Sequence, residues 1–436
     1  MSKPGKNILT VYEHDAIYLG DKVGSVELDH TLLKALQDFY GKTGVPYYSL
    51  LNKGVKFCEY VGVIQIGNIT IEVLPKADKE GSNSDWREAL IGMLRSVGLF
   101  TIKAPTTTSL KVKPNSILDL YIELFIQEVE HLIHSGLIKK YRKADSNCSS
   151  LKGNILFAQH VQKNIVHQER FYTRHTVYDV QHSLHQILYK TLLLLQRINT
   201  NSALHSSIGA LLLNFPEQAD IRISESVFQK ISYTRKRESY RKAVEISRLL
   251  LLNYHPNVSQ GRNHLLALMF DMNLLWERFV YVSLREYLRN YESDFSITAQ
   301  TSKYFWKPQN GNRSTIIPDI VIKKTDSGNE YCVVIDTKWK NLNGYNPSPD
   351  DLRQLYVYHE FYNANRVALV YPGSFSPIAG EYYTRHGDLG GKECYVIGIK
   401  VISNIREWKE EIGKDILNWI SSGDSKKPEN VMISQQ

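Results

Sequence analysis

The spacing of hydrophobic and polar residues divides the chain into regions with different predicted structure. From about residue 8 to 110, short alternating segments predominate. The clearest of them, YVGVIQIGNITIEVLPKAD, alternates around Gly67-Asn68 and predicts a β-hairpin. NILTVYEHDAIYL predicts a strand pair, whereas LDHTLLKALQDFY and DWREALIGMLRSVGLF have helical periodicity. We therefore expect a β-rich N-terminal domain over residues 1–110.

Residues 111–260 are predicted to be mostly helical. NSILDLYIELFIQEVEHLIHSGLIKKY predicts a helix with Ser116 as its N-cap and an end near Gly136. SLHQILYKTLLLLQRI and SYRKAVEISRLLLLNY repeat the helical pattern, and SLKGNILFAQHV and RFYTRHTVYDV are typical of strands. These segments define a middle region.

The pattern over residues 261–420 predicts an α/β domain. NHLLALMFDMNLLWERFVYVSLREYL predicts a long amphipathic helix, and IIPDIVIKKTDSGNEYCVVIDTKWK predicts two strands around a turn. SPDDLRQLYVYHEFYN predicts a helix with Ser348 as N-cap and Pro349 at its first position. RVALVYP is continuously apolar, as in the buried centre of a sheet. The polar residues 421–436 predict a flexible tail.

Three charged residues interrupt the two predicted strands of the C-terminal domain. Asp336 and Lys338 are two apart and therefore share a face of their strand, and the turn allows Asp319 to lie beside Asp336. Two neighbouring carboxylates repel each other, and a divalent cation resolves the repulsion. Mg²⁺ suits such a site, because it prefers oxygen ligands, keeps several bound waters and needs only a few carboxylates in addition to phosphate oxygens. The pattern therefore predicts a metal site that contains Asp319 and Asp336.

Other polar residues nearby extend this prediction. Glu277 interrupts the apolar stripe of the long helix, which indicates a third acidic group at the metal, a surface glutamate at the edge of the stripe, or one paired to Arg278 or Arg285. Gln354 and Tyr358 are four apart and share a helical face, where they could contact a phosphate, orient a catalytic group or simply be solvated and packed. An Asp-x-Lys triplet alone occurs roughly once or twice by chance in a chain of this length.

Composition narrows the class of protein. The chain has 436 residues, a net charge of +8 and 42% hydrophobic residues, which indicates a globular protein of two or three domains with a charge that suits a polyanionic partner. The four cysteines form no CxxC pair, which argues against a zinc ribbon and a disulfide framework. No signal core and no apolar run of membrane-spanning length occurs. We expect a cytoplasmic protein with no membrane partner.

These motifs together resemble those of the PD-(D/E)xK nuclease superfamily, and within it those of McrC-like proteins, the nuclease subunits of McrBC-type modification-dependent restriction systems. The Gln-x-x-x-Tyr pair resembles that of the RecB-like branch. Outside the core, Leu74-Pro75-Lys76, the Leu-x-Gly of Leu151 and Gly153, and the segments MNLLWERFV and IDTKWKNL are similar to McrC-like sequences. The similarity covers about residues 50–375. Asn154 and His185 stand where members of the family often have arginine and asparagine.

The resemblance implies a specific fold and activity. It implies a C-terminal PD-(D/E)xK restriction-endonuclease-like core, a mixed sheet flanked by helices. Asp319, Asp336 and Glu277 would hold Mg²⁺ (or Mn²⁺), Lys338 would orient the attacking water or steady charge on the phosphate, and Gln354 and Tyr358 would bind substrate or support the site.

The resemblance also implies partners and a division of labour. The reaction would be hydrolysis of double-stranded DNA, possibly methylated, within an anti-phage complex. An McrB-like AAA+ GTPase hexamer would recognise the DNA and translocate, the N-terminal domain would dock on it and stimulate it, and dimerisation could arise through the complex. FYGKTG, at residues 39–44, lacks the first glycine of a P-loop and predicts a helix-ending turn, so the nucleotide site is assigned to the partner.

Two other classes remain open from the sequence: a stand-alone sequence-specific PD-(D/E)xK endonuclease and a non-catalytic adaptor of an AAA+ ring. Two further features carry weaker predictions. His182 with His185, like His131 with His134, has a spacing that could bind metal but no Cys or acidic partner nearby, so surface or packed histidines are favoured. The run YTRKRESYRK, at residues 233–242, could grip a phosphate backbone or form a solvated helical face.

Overall fold

A computed structural model describes residues 7–24, 26–75, 83–97, 117–255, 264–292, 294–326, 329–340, 342 and 346–422. The chain forms two compact units, each discontinuous in sequence. The first contains Met1–Val63, Ile71–Ala104 and Met269–Gln436, and the second contains Ile64–Thr70 and Pro105–Leu268. The division into domains at residues 110, 260 and 420 stays a prediction.

The helices within the described residues include a long one in each unit, α3 and α9. Their bounds are α1 His30–Tyr40, α2 Asn83–Ser96, α3 Ile117–His134, α4 Phe157–Asn164, α5 Ser183–Ile198, α6 Ser202–Asn214, α7 Glu225–Gln229, α8 Arg241–Leu252, α9 Met272–Tyr291, α10 Pro349–Tyr362 and α11 Ile405–Ser421. A 3₁₀ turn over Glu238–Tyr240 leads into α8.

The strands are mostly short. Their bounds are β1 Ile8–Tyr12, β2 Ala16–Tyr18, β3 Lys22–Val23, β4 Val26–Glu27, β5 Tyr48–Leu51, β6 Gly54–Phe57, β7 Tyr60–Ile66, β8 Ile69–Leu74, β9 Lys140–Cys148, β10 Asn154–Ile155, β11 Phe171–Asp179, β12 Tyr254–His255, β13 Leu265–Asp271, β14 Phe295–Ala299, β15 Lys303–Trp306, β16 Ser314–Ile316, β17 Ile320–Asp326, β18 Asn329–Thr337, β19 Arg366–Pro372, β20 Ile378–Tyr383 and β21 Leu389–Ile399.

The sheet that carries the predicted site has six strands in the order β14-β17-β18-β19-β21-β20. The pairs β18–β19 and β19–β21 are parallel and the others antiparallel, so the sheet is mixed. On one face, α10 packs on alternate residues such as Val334 and Leu369. The intervening residues, such as Val333 and Val370, are also buried, and Trp276 of α9 donates from Nε1 to the Val370 carbonyl at 3.3 Å. Helices therefore cover both faces.

The helix α9 anchors an aromatic core beneath this sheet. Trp276, Phe279 and Trp408 of α11 are fully buried. The Trp276 and Phe279 rings lie 5.8 and 4.8 Å from the Trp408 ring. Burial of rings of this size, at contacts of this length, stabilises the position of α9 against the sheet. The predicted α/β class is confirmed at this level of detail.

Local signals in the sequence explain where several elements begin and end. Ser348 caps α10 by accepting from Asp351 N, and Pro349 occupies the first helical position, as predicted. The hairpin β7–β8 turns at Gly67, whose φ is +56°. Gly41, with φ +58°, follows the last residue of α1, so FYGKTG is a helix-ending turn as predicted.

The predicted long helix from residue 263 is wrong in its first part. LLALMFD forms strand β13, which lies beside β7 in the five-stranded sheet β1-β8-β7-β13-β12. The helix starts only after Asp271, whose side chain accepts from Asn273 N and Leu274 N. Pairing with the hairpin overrides the helical propensity of leucine, alanine and methionine.

The second unit combines helices with a small sheet of order β10-β11-β9. β9 and β11 pair over nine residues, from Phe171↔Cys148 to Asp179↔Lys140. SLKGNILFAQHV was predicted as a strand, but only Asn154 and Ile155 are extended, and α4 follows. NILTVYEHDAIYL does form two strands, although β1 and β2 belong to different sheets and do not pair. Ser116 and the tail from residue 423 lie outside the described residues.

Candidate active site

The antiparallel pair β17–β18 places the two predicted aspartates opposite each other. Ile320 pairs with Ile335, so the preceding Asp319 lies across from Asp336. Asp319 Oδ2 accepts two hydrogen bonds from Thr337, at 2.6 Å from its backbone N and 2.8 Å from Oγ1. These bonds hold the Asp319 carboxylate at the end of β18. Asp336 itself is only 1% exposed.

Burial dominates the electrostatics of this pair. It raises the pKa of Asp336, and the negative charge of Asp319 raises that pKa further. Burial also raises the pKa of Asp319, although the two bonds from Thr337 oppose the shift. Desolvation disfavours the ionised form of each carboxyl group, and their mutual repulsion adds to this. The site therefore holds two acidic groups that need a positive charge beside them.

Lys338 supplies one such charge. Its Nζ lies 2.7 Å from Asp336 Oδ2. The contact is an ion pair rather than a well-aligned hydrogen bond, and Asp336 Oδ2 is a buried oxygen with no hydrogen-bond partner among the described residues. Burial lowers the pKa of Lys338, but the charges of Asp336 and Asp319 outweigh it, so the net shift is upward. Lys338 is therefore a cation at neutral pH in this arrangement.

A chain of hydrogen bonds connects Lys338 to the start of β17. Lys338 Nζ donates to Gln354 Oε1 at 3.4 Å, and Gln354 Nε2 donates to the Tyr358 hydroxyl at 2.7 Å. The Tyr358 hydroxyl donates in turn to the Ile317 carbonyl at 2.9 Å, two residues before Asp319. Because Gln354 and Tyr358 are four residues apart on α10, one face of this helix contacts both Lys338 and the backbone that precedes Asp319.

Glu277 lies near these groups but does not join the aspartate pair directly. It is half-buried, and its Oε1 accepts from Gln300 Nε2 at 2.9 Å. Burial raises its pKa and the charge of Asp319 raises it further, while Arg278 and Lys338 lower it. Gln300 N also donates to the Asp319 carbonyl at 3.1 Å. Gln300 therefore links Glu277 to the backbone of Asp319.

Besides Gln300, sequence reasoning missed Asp351 and the Trp339–Glu13 pair. Asp351, buried in the first turn of α10, accepts from Lys340 Nζ at 2.6 Å and from the Tyr371 hydroxyl at 3.1 Å. Trp339, next to Lys338, donates from Nε1 to Glu13 Oε1 at 2.6 Å. An acidic residue in the first turn of a helix is so common that Asp351 gave no distinct signal. Glu13 is too distant in sequence to be linked to Trp339 by any pattern.

The donor set fits a hard divalent cation. Mg²⁺ keeps several waters and binds through one or two carboxylates plus phosphate oxygens, so a pair of aspartates is sufficient. Asp336 Oδ2 is buried and already lies 2.7 Å from the Lys338 ammonium, so this carboxylate faces positive charge, as a metal ligand would. Within the described part of the chain, no three His, Cys, Asp or Glu side chains form a ready-made metal cage. Asp319 and Asp336 are thus better placed for direct contact than Glu277.

The histidine pair of the second unit is packed. His182 caps α5 by accepting from Leu184 N at 3.3 Å. His185 is fully buried, with Nδ1 2.6 Å from the Val180 carbonyl and Nε2 3.0 Å from the Tyr240 hydroxyl. Both rings therefore have structural partners, and His185 fills a position in the core of its unit.

The basic run at residues 233–242 is a turn rather than a helical face until α8 begins at Arg241. Arg241 lies 4.2 Å over the Tyr233 ring and pairs with Glu238 at 2.7 Å. Arg235 and Lys236 are exposed. Contact of this run with a phosphate backbone stays a prediction, testable by the salt dependence of DNA binding after removal of Arg235, Lys236 and Arg237.

Comparison with known proteins gives a family and a fold. The family model described as McrBC 5-methylcytosine restriction system component matches residues 55–372. A chain in the half-complex of Thermococcus gammatolerans McrB AAA+ hexamers with bound McrC is similar at 20% identity and a TM-score of 0.68, covering 94% of this chain and 100% of that one. A chain of the McrBC complex from the same organism matches at 20% identity and a TM-score of 0.47, covering 64% and 88%. None of the curated proteins compared with the chain matches it. Among the described helices, none is both long and apolar enough to cross a membrane.

Proposed function

Since the chain belongs to the family of McrBC 5-methylcytosine restriction system components, we propose that it is a metal-dependent DNA endonuclease subunit of the PD-(D/E)xK type. The observation that carries this proposal is the group formed by Asp319, Asp336 and Lys338. Two opposed carboxylates and a lysine 2.7 Å from one of them lie at the end of a mixed sheet. Burying these charges together is costly unless they serve a bound cation and an anionic substrate.

Each residue has a defined part in this proposal. Asp319 and Asp336 would hold Mg²⁺, with Mn²⁺ as a substitute, and Glu277 would support the shell through Gln300. The cation, when bound, would polarise the phosphodiester and lower the pKa of a coordinated water. The raised pKa of Lys338 suits a cation that steadies negative charge on the phosphate better than it suits a general base.

The Gln354–Tyr358 pair would act as support. Gln354 Oε1 accepts from Lys338 Nζ, and Tyr358 fixes the backbone before Asp319. A catalytic group must be held within a fraction of an ångström of its working position, which partners of this kind achieve. We assign both residues to positioning, since their hydrogen bonds go to Lys338, to each other and to the Ile317 carbonyl.

We further propose that a separate AAA+ GTPase governs the cleavage. The Thermococcus gammatolerans structure with the similar fold contains McrB AAA+ hexamers with bound McrC. By analogy, the partner hexamer would recognise double-stranded DNA, methylated or otherwise modified, and translocate it. The present chain would cut the DNA and stimulate the GTPase through its N-terminal region, and two such complexes could associate.

The test compares the wild-type protein with Asp336→Asn and Lys338→Met on long plasmid DNA with Mg²⁺. Each protein is assayed alone and with the AAA+ partner and GTP, on methylated and unmethylated DNA. We expect cleavage that requires partner, GTP and Mg²⁺ and that both variants lose. Tyr383→Ala, a change of a highly exposed ring on the edge strand β20, is the matched control and should cleave normally.

Two outcomes would refute the proposal in different ways. Cleavage by the chain alone, unaffected by the partner, would indicate a stand-alone endonuclease. Stimulation of the partner GTPase with no cleavage under any condition would indicate a non-catalytic adaptor.

A further inference from the structure

An exposed two-stranded ribbon precedes Asp319 and has no role in the chemistry described so far. It consists of β15, β16 and the connecting turn, residues 303–316, and is called the aromatic ribbon below. From Phe295 to Pro318 the chain has no acidic residue and three cationic ones, Lys303, Lys307 and Arg313. β15 consists of Lys303 and three successive aromatic residues, and the exposed fractions of Tyr304, Phe305 and Trp306 are 67%, 48% and 59%. Large apolar side chains exposed in a cluster indicate a binding surface.

The two faces of the aromatic ribbon differ. On the inner face, Phe305 packs against Phe361 of α10, with ring centroids 5.2 Å apart, and Lys303 Nζ donates to the Phe361 carbonyl at 2.7 Å. The pairing shifts register between Tyr304 and Trp306, a bulge that redirects the side chains that follow it. Tyr304 and Trp306 are the two most exposed rings of the ribbon.

A cation completes the outer face. The Arg313 guanidinium lies 4.9 Å from the centre of the Tyr304 ring. Guanidinium and aromatic planes are the surfaces on which nucleic-acid bases stack. The outer face therefore combines aromatic rings with positive charge, and the segment that forms it, residues 295–318, contains no acidic residue.

The base of the aromatic ribbon is fixed to the candidate active site. The Tyr362 hydroxyl donates to the carbonyls of Thr301 and Ile316, one on each side of the ribbon. Gln300 N donates to the Asp319 carbonyl at 3.1 Å, and Tyr358 holds Ile317. A ligand bound on the ribbon is thus held at a set distance from the Asp319–Asp336 pair.

We propose that the outer face of the aromatic ribbon binds unstacked bases of the DNA strand beside the scissile phosphate, by stacking on Tyr304 and Trp306 with Arg313 at the backbone. This inference rests on DNA being the substrate. Stacking needs an exposed base face, so the ribbon binds single-stranded or locally opened DNA in preference to a closed duplex. Stacking is tolerant of sequence, which suits a subunit whose partner selects the target.

The test measures binding apart from cleavage. The full chain carrying Asp336→Asn is titrated, in EDTA, with a fluorescein-labelled oligo(dT) and with a duplex of the same length, and fluorescence anisotropy gives the affinities. Three further versions are compared: Tyr304→Ala with Trp306→Ala, the ring-retaining Tyr304→Phe with Trp306→Phe, and the control Tyr18→Ala, another exposed strand tyrosine. A urea transition of each protein shows that the fold is retained.

We expect the double alanine variant to bind oligo(dT) at least about tenfold more weakly, with a smaller change for the duplex. The double phenylalanine variant should stay within about threefold of its parent, because it keeps both rings. Unchanged affinity of the double alanine variant, or an equal loss in Tyr18→Ala, would overturn the inference. Loss of binding to the AAA+ partner with DNA affinity intact would also overturn it and identify the ribbon as a protein-docking surface.

The same proteins separate the two proposals. If the wild type cleaves plasmid DNA with its partner but the double alanine variant binds oligo(dT) normally, only the ribbon inference fails. If oligo(dT) binding depends on the ribbon but the wild type never cleaves, the proposed endonuclease function fails and the ribbon inference stands.

Discussion

Tyr358→Phe is the most informative single change at the candidate site, because it removes one hydroxyl and leaves the ring in place. That hydroxyl donates to the Ile317 carbonyl at 2.9 Å and accepts from Gln354 Nε2 at 2.7 Å, and the residue is 3% exposed. Each such hydrogen bond contributes about 0.5–1.5 kcal/mol net, so losing both should lower the free energy of unfolding by about 1–3 kcal/mol. Cleavage should also slow, because Gln354 no longer has a fixed partner while it holds Lys338.

Tryptophan fluorescence makes the measurement specific to the unit that contains the site. All six tryptophans of the chain lie in the first unit and none in the second. Urea denaturation followed by this signal is compared for the wild type, Tyr358→Phe, Gln354→Leu and the double variant. Because the two side chains share a hydrogen bond, the double variant should lose less stability than the sum of the single changes, by about 0.5 kcal/mol or more.

Tyr383→Phe, in which the altered ring is 73% exposed, is the matched control and should have wild-type stability. Wild-type stability in Tyr358→Phe as well would show that the hydroxyl bonds contribute nothing. Additive losses in the double variant would show that Gln354 and Tyr358 do not act as one network. If Tyr358→Phe loses stability as expected but cleaves DNA at the wild-type rate, only the positioning role is refuted.

Further predictions follow from other contacts. Thr337→Val removes the 2.8 Å bond from Oγ1 to Asp319, which should lower stability by about 1–2 kcal/mol and raise the Mg²⁺ concentration needed for cleavage, whereas Thr337→Ser should restore both; equal Mg²⁺ requirements in Val and Ser would contradict this. Burial, aided by nearby positive charge, lowers the pKa of His182 to about 4, so the unfolded chain binds the extra proton and the second unit should lose stability as the pH falls from about 6.5 towards 4. Hydrogen exchange of α5 across this pH range should show a smaller loss of protection in His182→Asn, whose side chain can still cap the helix, than in the wild type. Identical pH profiles of the two proteins would contradict this prediction. Trp339→Phe removes the donor to Glu13 and should destabilise the first unit by about 1.5–3 kcal/mol, measured by urea denaturation, with a negligible change counting as refutation.

The sequence was most informative where chemistry conflicts with burial. Asp336 and Lys338 stood out because charged residues are rare within an apolar strand, and strand alternation alone places them on one face. Gln354 and Tyr358 followed from helical spacing. Gln300 could not be predicted, because it reaches Glu277 only through the position of the aromatic ribbon, and its own φ of +50° has no sequence signature outside glycine and asparagine.

The errors in the fold have a common physical cause. β13 is rich in helix-forming residues and becomes a strand because a hairpin more than 190 residues earlier pairs with it. β9, KYRKADSNC, is too polar to be recognised as a strand, and its nine-residue pairing with β11 supplies the extended conformation. In both cases the partner, which no local pattern encodes, decides the structure.

The hydrogen bond between Glu13 and Trp339 can form only after most of the chain has been synthesised. Its two residues are 326 positions apart, and Trp339 follows the end of β18, the strand that carries Asp336. At about 5–20 residues per second, a ribosome needs roughly 15–65 seconds between making the first partner and the second. During that interval Glu13 has been made but its donor, Trp339, has not. A fragment that starts at residue 261 would leave Trp339 without this acceptor, so the segment after β18 is fixed by this bond only when the N-terminal residues are present.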